Sequence, residues 1–247
     1  MVKKSKKRLD VYITEQYPDR SRREIQSWIM QGNVTVDGVV VTKPGTMISA
    51  DAVIECVVRE QKYVSRAGFK LEHALAWWQI SVEGLVCLDA GISTGGFTDC
   101  LLQQGAKKVY GIDVGYGQVH EKIRADTRVV LFERTNLRTL ETVGQLVDLV
   151  TLDLSFISVL KVMEAVKRVL REQGKLIVLI KPQFEAERSQ IRRGGLITDE
   201  TVHKEVVEKV CAGIVQHQFI CHGVVQSPIL GATGNKEFLA YFERSAI

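Results

Sequence analysis

Residues 85–98 constrain the fold more than any other part of the chain. Leu85-Val86-Cys87-Leu88 is a short apolar run of the kind that forms a buried strand, and it closes on Asp89. Ala90-Gly91-Ile92-Ser93-Thr94-Gly95-Gly96-Phe97-Thr98 follows, and Asp99-Cys100-Leu101-Leu102-Gln103-Gln104-Gly105 reads as a helix ended by glycine. A strand, an acid, small residues and a helix start make the nucleotide-sized pocket of an open α/β sheet. The small residues let backbone approach a ligand closely, and the helix start offers unpaired N–H groups. The next strand-like run, Lys108-Val109-Tyr110-Gly111-Ile112, ends on a second acid, Asp113, placed to bind both hydroxyls of a ribose. Two acids and few phosphate-cradling glycines favour S-adenosylmethionine, which has a ribose and no phosphate. A nicotinamide dinucleotide would want Gly-x-Gly-x-x-Gly; Gly91 and Gly96 fit that spacing, but Ser93 stands where the second glycine belongs.

The pattern of strand and helix continues to the end of the chain. Strands are expected near 85–89, 108–113, 128–132, 147–153 and 175–181, after a helix at about 67–78. A long helix at about 200–217 and two last strands near 219–227 and 237–243 complete it. This alternation predicts an α/β domain with a mostly parallel sheet. A chain of 247 residues, 45% apolar, can fill one or two such cores. No run of about 18 apolar residues is present, so no membrane span is expected. The basic start is not followed by the apolar segment of a secretion signal. The five cysteines show no Cys-x-x-Cys spacing and read as reduced thiols of a cytoplasmic protein. The histidines lack ligand spacing, and no metal is expected.

Residues 1–60 have a different texture and are expected to form a small α+β domain, joined through a polar linker at about 59–64 to a second domain, 61–247. Leu9, Val11, Tyr12, Ile13 and Tyr17 suit a first helix. Ser21 and Glu24 have capping-box spacing at the start of a helix over 22–31. Val34-Thr35-Val36 and Val39-Val40-Val41 flank Asp37-Gly38, a two-residue hairpin signal. Lys43-Pro44-Gly45 is a turn, and residues 52–58 are the last strand. Lys3, Lys4, Lys6, Lys7, Arg8, Arg20, Arg22 and Arg23 crowd the two helices. Such a cluster is often only a solvated face. Around a helix start, however, arginines and free N–H groups can grip phosphates together, with Arg22 and Arg23 foremost.

Four charged residues fall where a doubly wound sheet gathers its ligands. Asp153 closes Leu149-Val150-Thr151-Leu152, and Lys181 closes Leu176-Ile177-Val178-Leu179-Ile180. A charge after such a run is costly unless solvated or paired, and a strand end facing a cleft allows both. Lys70 enters with Ser65-Arg66-Ala67-Gly68-Phe69-Lys70-Leu71. Glu237 opens the last strand; if that strand is antiparallel, Glu237 should meet Asp153 and Lys181. The set suits methyl transfer to a ribose hydroxyl, whose proton must leave as its oxygen attacks a sulfonium methyl. Lys181 is read as the base or hydroxyl-orienting group and Asp153 as its orienter. Lys70 and Glu237 hold the ribose and the network.

These motifs, with Asp153-Leu154-Ser155-Phe156-Ile157-Ser158, Lys181-Pro182-Gln183-Phe184-Glu185 and Gly234-Asn235-Lys236-Glu237, resemble the TlyA family of ribosomal RNA 2′-O-methyltransferases. That family is also known as haemolysin A. The resemblance spans nearly the whole chain. It implies an S4-like RNA-binding domain and a class I methyltransferase domain similar to the FtsJ/RrmJ group, with S-adenosylmethionine as cofactor. Lys70, Asp153, Lys181 and Glu237 become the Lys-Asp-Lys-Glu tetrad. Asp89, Gly91, Ser93, Thr94, Gly95, Gly96 and Phe97 become the cofactor loop, Asp113 the ribose acid and Asn136 an adenine contact. Arg8, Arg20, Arg22 and Arg23 become RNA contacts. Phe97 and Phe156 by themselves read as core residues. The implied substrate is cytidine in ribosomal RNA. Dual-specificity members carry extra terminal residues, and this tail ends soon after Phe242, so large-subunit activity alone is expected.

Rival classes are a membrane-lytic haemolysin, a pseudouridine synthase sharing the front domain, and a non-catalytic ribosome assembly factor. The first lacks a pore segment in this sequence, the second would not alternate strand and helix in this way, and the intact tetrad argues against the third. The basic stretch with Arg188, Arg192 and Arg193 reads as a loop that orders on RNA.

Overall fold

The computed structural model describes residues 6–30, 32–57, 62–192, 194–231 and 233–246. Lys3, Lys4, Gln31, Val58, the linker positions 59–61 and Arg193, all named above, lie outside the described residues. The chain divides into two units, 1–61 and 62–247.

The first unit runs β1 (Lys6–Arg8), α1 (Leu9–Gln16), α2 (Arg22–Met30), β2 (Val34–Val36), β3 (Val39–Val40), β4 (Met47–Ser49) and β5 (Ile54–Cys56). Leu9 and Ile13 on α1, Ile25 and Ile29 on α2, and Val34 and Ile48 on strands form its core. The capping box is formed: Glu24 N–H donates to Ser21 Oγ (3.3 Å), and Ser21 N–H donates to the Glu24 carboxylate (2.8 Å). Asp37 and Gly38 take φ of 50° and 77°, the pair of left-handed residues a tight hairpin turn requires. β2 pairs antiparallel with β3 and β5. The pairing of β1 with β4 was not anticipated, because Lys6-Lys7-Arg8 has no apolar alternation. The last strand is shorter than expected, three residues in place of seven.

The second unit runs α3 (Ala67–Trp77), β6 (Val86–Ala90), α4 (Gly96–Gln103), β7 (Lys108–Ile112), α5 (Glu121–Arg124), β8 (Val129–Phe132), β9 (Val147–Leu152), α6 (Met163–Val169), β10 (Leu170–Ile180), α7 (Pro182–Glu185), α8 (Glu200–Gln216), β11 (Phe219–Gln226) and β12 (Phe238–Arg244). Its seven strands lie in the order β11-β12-β10-β9-β6-β7-β8. The pairs from β10 through β8 are parallel, and β12 is antiparallel to both β10 and β11. Burial on both faces explains the unbroken apolar strands. Leu88, Val150, Val178 and Ile180 pack into one core, while Cys87, Leu149, Ile177 and Leu179 pack into the other.

From β6 the chain goes first to β7 and β8 on one side, then crosses to β9 and β10 on the other. The crevice above the carboxyl ends of β6 and β9 is therefore the switch point where a doubly wound sheet binds ligands. α3 enters this region over Tyr63, which is buried against it. A Cβ on Gly68 would lie 2.3 Å from the Tyr63 ring. Gly68→Ala is expected to lower stability by about 1–3 kcal/mol through overpacking, read as a lower urea midpoint at constant slope. An unchanged midpoint would mean that Tyr63 yields without cost.

Candidate active site

A cavity of about 470 Å³ opens at the switch point. Gly91 and Ser93 line it after β6, Asp113 and Gly115 after β7, Thr135 and Asn136 after β8, and Asp153 to Ile157 after β9. The loops fit each other closely. Gly91 has φ of 83°, and a Cβ there would lie 2.5 Å from the Asp153 carbonyl oxygen, so only glycine lets the two loops meet. Asp113 accepts the Ser93 N–H (2.9 Å) on one oxygen and the Gly115 N–H (2.7 Å) on the other. These bonds fix the carboxylate and leave lone pairs on both oxygens. Asn136 Oδ1 caps the short turn that follows by accepting the Arg138 N–H (3.0 Å), which leaves its amide nitrogen as a donor.

Not every residue expected at the cofactor lines this cavity. Asp89 is 1% exposed and turned into the sheet, where Thr98 and Thr151 hydroxyls donate to it at 2.7 and 3.0 Å. Burial pushes its pKa up to about 7, the threonine bonds oppose this, and the Asp153 charge adds to it. It shapes the loop from beneath. Phe97 is buried in the core beside it, Gly95 and Gly96 begin α4, and Thr94 receives the His120 N–H on its carbonyl. Phe156 departs the other way. Read from sequence as core, it is 90% exposed at the cavity rim, with φ of 64°, and its ring lies 4.9 Å from that of Phe184.

The four charged residues form two ion pairs. Lys181 Nζ lies 2.6 Å from Asp153 Oδ1 and donates to Ser155 Oγ at 3.0 Å. The contact with Asp153 is ionic rather than directional, since that oxygen accepts no hydrogen bond. Lys70 on α3 reaches Glu237 at 2.5 Å, with side chains only 10% and 3% exposed. Ile180 pairs with Phe238 in the sheet, so Lys181 and Glu237 are the next opposed positions. The expectation that Glu237 would meet Asp153 and Lys181 is corrected in its detail: Glu237 takes Lys70 as partner. A carboxylate buried this far needs a cation within contact, and α3 supplies one. Ser155, Gly115 and the exposed Phe156 were not assigned roles from sequence. The glycine two residues after Asp113 was the available sign for Gly115.

In the first unit Arg8 and Arg22 converge on the buried carboxylate of Asp10, each at 2.9 Å. Arg20 lies 3.7 Å from Glu24 and 6.0 Å above the Trp28 ring. Arg23 is exposed, with no hydrogen-bond or ion-pair partner among the described residues.

The strand order and the ligand crevice define a class I methyltransferase. The profile of the FtsJ-like methyltransferase family matches residues 63–244, and that of the S4 domain matches residues 7–54. The chain is 42% identical to Hemolysin A of Brachyspira hyodysenteriae, over 95% of this chain and 99% of that one. It is 39% identical to the 16S/23S rRNA (cytidine-2'-O)-methyltransferase TlyA of Mycobacterium tuberculosis, over 95% of this chain and 88% of that one. A solved structure of a protein from Streptococcus thermophilus described as a hemolysin superposes with a TM-score of 0.77 at 39% identity, covering 97% of this chain and 89% of that one. The chain belongs to the FtsJ-like methyltransferase family and carries an S4 domain at its front.

The cofactor is S-adenosylmethionine, and the cavity suits it. A pre-fixed carboxylate at Asp113 matches a ribose diol, a glycine-lined loop admits a close ligand, and Asn136 retains a donor for a base. No helix among the described residues is long and apolar enough to cross a membrane, and no cluster among them has the composition of a metal site.

Asp89 gives the site a pH signature. Its folded value lies above that of an exposed aspartate, so between pH about 4 and about 7 the native state binds more protons than the unfolded chain. Its contribution to stability is full below that window and is lost as pH rises through it. Asp89→Asn keeps the shape and removes the titration. Urea denaturation at stepped pH is expected to give a difference between wild type and variant that shifts in favour of the variant from pH about 4 to about 7. Parallel profiles would rule out Asp89 as the cause.

Proposed function

We propose that the protein transfers a methyl group from S-adenosylmethionine to the 2′-hydroxyl of a cytidine in ribosomal RNA, acting on rRNA or ribosomal subunits in the cytoplasm. The observation that carries this reading is the double position of Asp153. It lines the cavity and also pairs with Lys181, which joins the lysine to the cavity wall. The named activity of the Mycobacterium tuberculosis relative supplies the substrate class. The S4 domain supports RNA as the partner. Residues 1–60 are assigned to gripping RNA and residues 61–247 to methyl transfer.

When bound, S-adenosylmethionine supplies an electrophilic methyl group on a sulfonium. The chain supplies position and proton handling. Asp113 would hold the ribose diol, Asn136 would contact the adenine, and Gly91 and Ser93 would line the rest. Lys181 would orient the 2′-hydroxyl or act as the base that takes its proton. Asp153 and Ser155 fix the Nζ position. The Lys70–Glu237 pair, which follows Lys181 in the sheet register, would meet the target ribose. Phe156, exposed and backed by Phe184, offers a ring face on which an unstacked base can rest.

The test is transfer of labelled methyl from S-adenosylmethionine to rRNA and to isolated subunits, with the product mapped to its nucleotide. Label on one ribose 2′-oxygen is expected, and its position names the subunit. Lys181→Ala should lower turnover by about 10²–10⁴-fold, the usual worth of general acid–base catalysis, while cofactor affinity is kept. Label on a base, or wild-type turnover in the variant, would overturn the assignment.

A further inference from the structure

The buried carboxylate of Asp10 has no place in the methyl-transfer chemistry, yet it is the most heavily bonded side chain among the described residues of the first unit. Arg8 donates to it through Nε and Nη2 at 2.9 and 3.0 Å. Arg22 donates through Nε and Nη2 at 3.3 and 2.9 Å, Gln26 through Nε2 at 2.9 Å, and Val11 through its backbone N–H at 3.0 Å. Asp10 itself is fully buried, whereas the Arg8 and Arg22 side chains are 48% and 54% exposed. Two guanidiniums would repel each other at this distance, and the shared carboxylate is the counter-ion that keeps them together. The group carries two positive charges and one negative, leaving one net positive charge. Each guanidinium has five N–H donors and spends two on Asp10, so three remain on each.

We infer that Arg8 and Arg22 form one clip that binds a single RNA phosphate between them, with Asp10 as its positioning residue. This rests on the reading of the first unit as RNA-binding and goes further, because it joins two arginines into one site of fixed stoichiometry. The single net charge matches one phosphodiester. The planar forks suit its oxygens, as bidentate arginine contacts do elsewhere. Removing either arginine leaves the other neutralised by Asp10, so each single loss should empty the site.

The test is a double-mutant cycle in the full chain with Arg8→Gln, Arg22→Gln and the pair together. Binding to an in vitro transcript of the large-subunit rRNA is titrated at several salt concentrations. Each single variant is expected to lose about tenfold to a hundredfold in affinity, the range for charge-assisted hydrogen bonds. The double variant should lose little more. The slope of log affinity against log salt should fall by about 0.7–0.9, one phosphate, in all three. Additive losses, or a slope that falls twice as far in the double variant, would overturn the shared site. So would singles that bind like wild type.

Asp10→Asn adds a positive charge to this face. A dispersed electrostatic surface would then bind RNA more tightly, whereas loss of the clip predicts weaker binding. Tighter binding by a folded Asp10→Asn variant would overturn the positioning role, and the arginine cycle stands without that variant should it fail to fold. No binding by wild type would overturn the functional reading along with this one. Binding and methyl transfer with additive arginine losses would overturn only the clip.

Discussion

Four charged side chains stand at the end of an apolar sheet, and they are stable there only in pairs. Asp153 and Lys181 each follow a strand with buried residues on both faces, and Glu237 is 3% exposed. An isolated charge in such a place would cost several kcal/mol. The structure meets this by joining Asp153 to Lys181 and Glu237 to Lys70. The pairing places demands on the rest of the fold. β12 must run antiparallel to β10 so that Glu237 starts where β10 ends, and α3 must approach so that Lys70 reaches it. Replacing the pairs by apolar groups would relieve the electrostatic cost. Their retention at a ligand crevice fits chemistry better than stability, since buried ion pairs are weak stabilisers.

The second dependence is geometric. The loop after β6 and the loop after β9 touch at Gly91, whose missing Cβ leaves room for the Asp153 carbonyl. The Asp153 N–H donates to the Ala90 carbonyl at 3.0 Å. The loop after β6 that lines the cavity and the loop that carries Asp153 are thus one packed object. The Glu185 carboxylate adds a further tie, accepting the Val159 N–H at 2.8 Å and so joining the segment after Lys181 to the one after Asp153. Phe156 on Phe184 repeats that link at the surface. A displacement of either loop would be felt by both Lys181 and the cavity.

The fold was largely legible because the parallel strands are buried on both faces and read as apolar runs broken by turn residues. The strand-end positions of Asp153 and Lys181 followed from the same runs. What could not be read was direction. Asp89 and Asp113 both close strands, yet Asp89 is drawn into the sheet by Thr98 and Thr151, while Asp113 is held at the cavity by two backbone N–H groups. Thr98 lies nearby, but the second threonine, Thr151, is 62 residues away on β9, so the spacing around Asp89 shows only part of what holds it. The partner of Glu237 was hidden for a similar reason, as Lys70 lies 167 residues earlier. Phe156 reads as core from its type, whereas the structure gives it a left-handed backbone and an exposed ring. β1 escaped because its pairing with β4 uses backbone groups that every sequence possesses.

Two aspartates with little solvent exposure end as different carboxyls, because both their depth in the protein and their partners differ. Asp10 and Asp89 are equally shielded from solvent, at 0% and 1% exposure. Burial raises both. At Asp89 the opposing groups are neutral hydroxyls, each able to donate one bond, and burial wins. At Asp10 they are two guanidiniums and an amide, and the Arg8 hydrogen bonds hold the carboxyl well below the usual carboxylate range. Charge-assisted bonds are about twice as strong as neutral ones, and they act at Asp10 against a weaker desolvation than the one at Asp89. Asp10 is therefore an anion under all ordinary conditions and can serve as a fixed anchor for cations. Asp89 carries a labile proton and is a hydrogen-bond node whose charge follows pH. The same residue type holds two arginines at the surface of one unit and packs beneath the loop after β6 in the other.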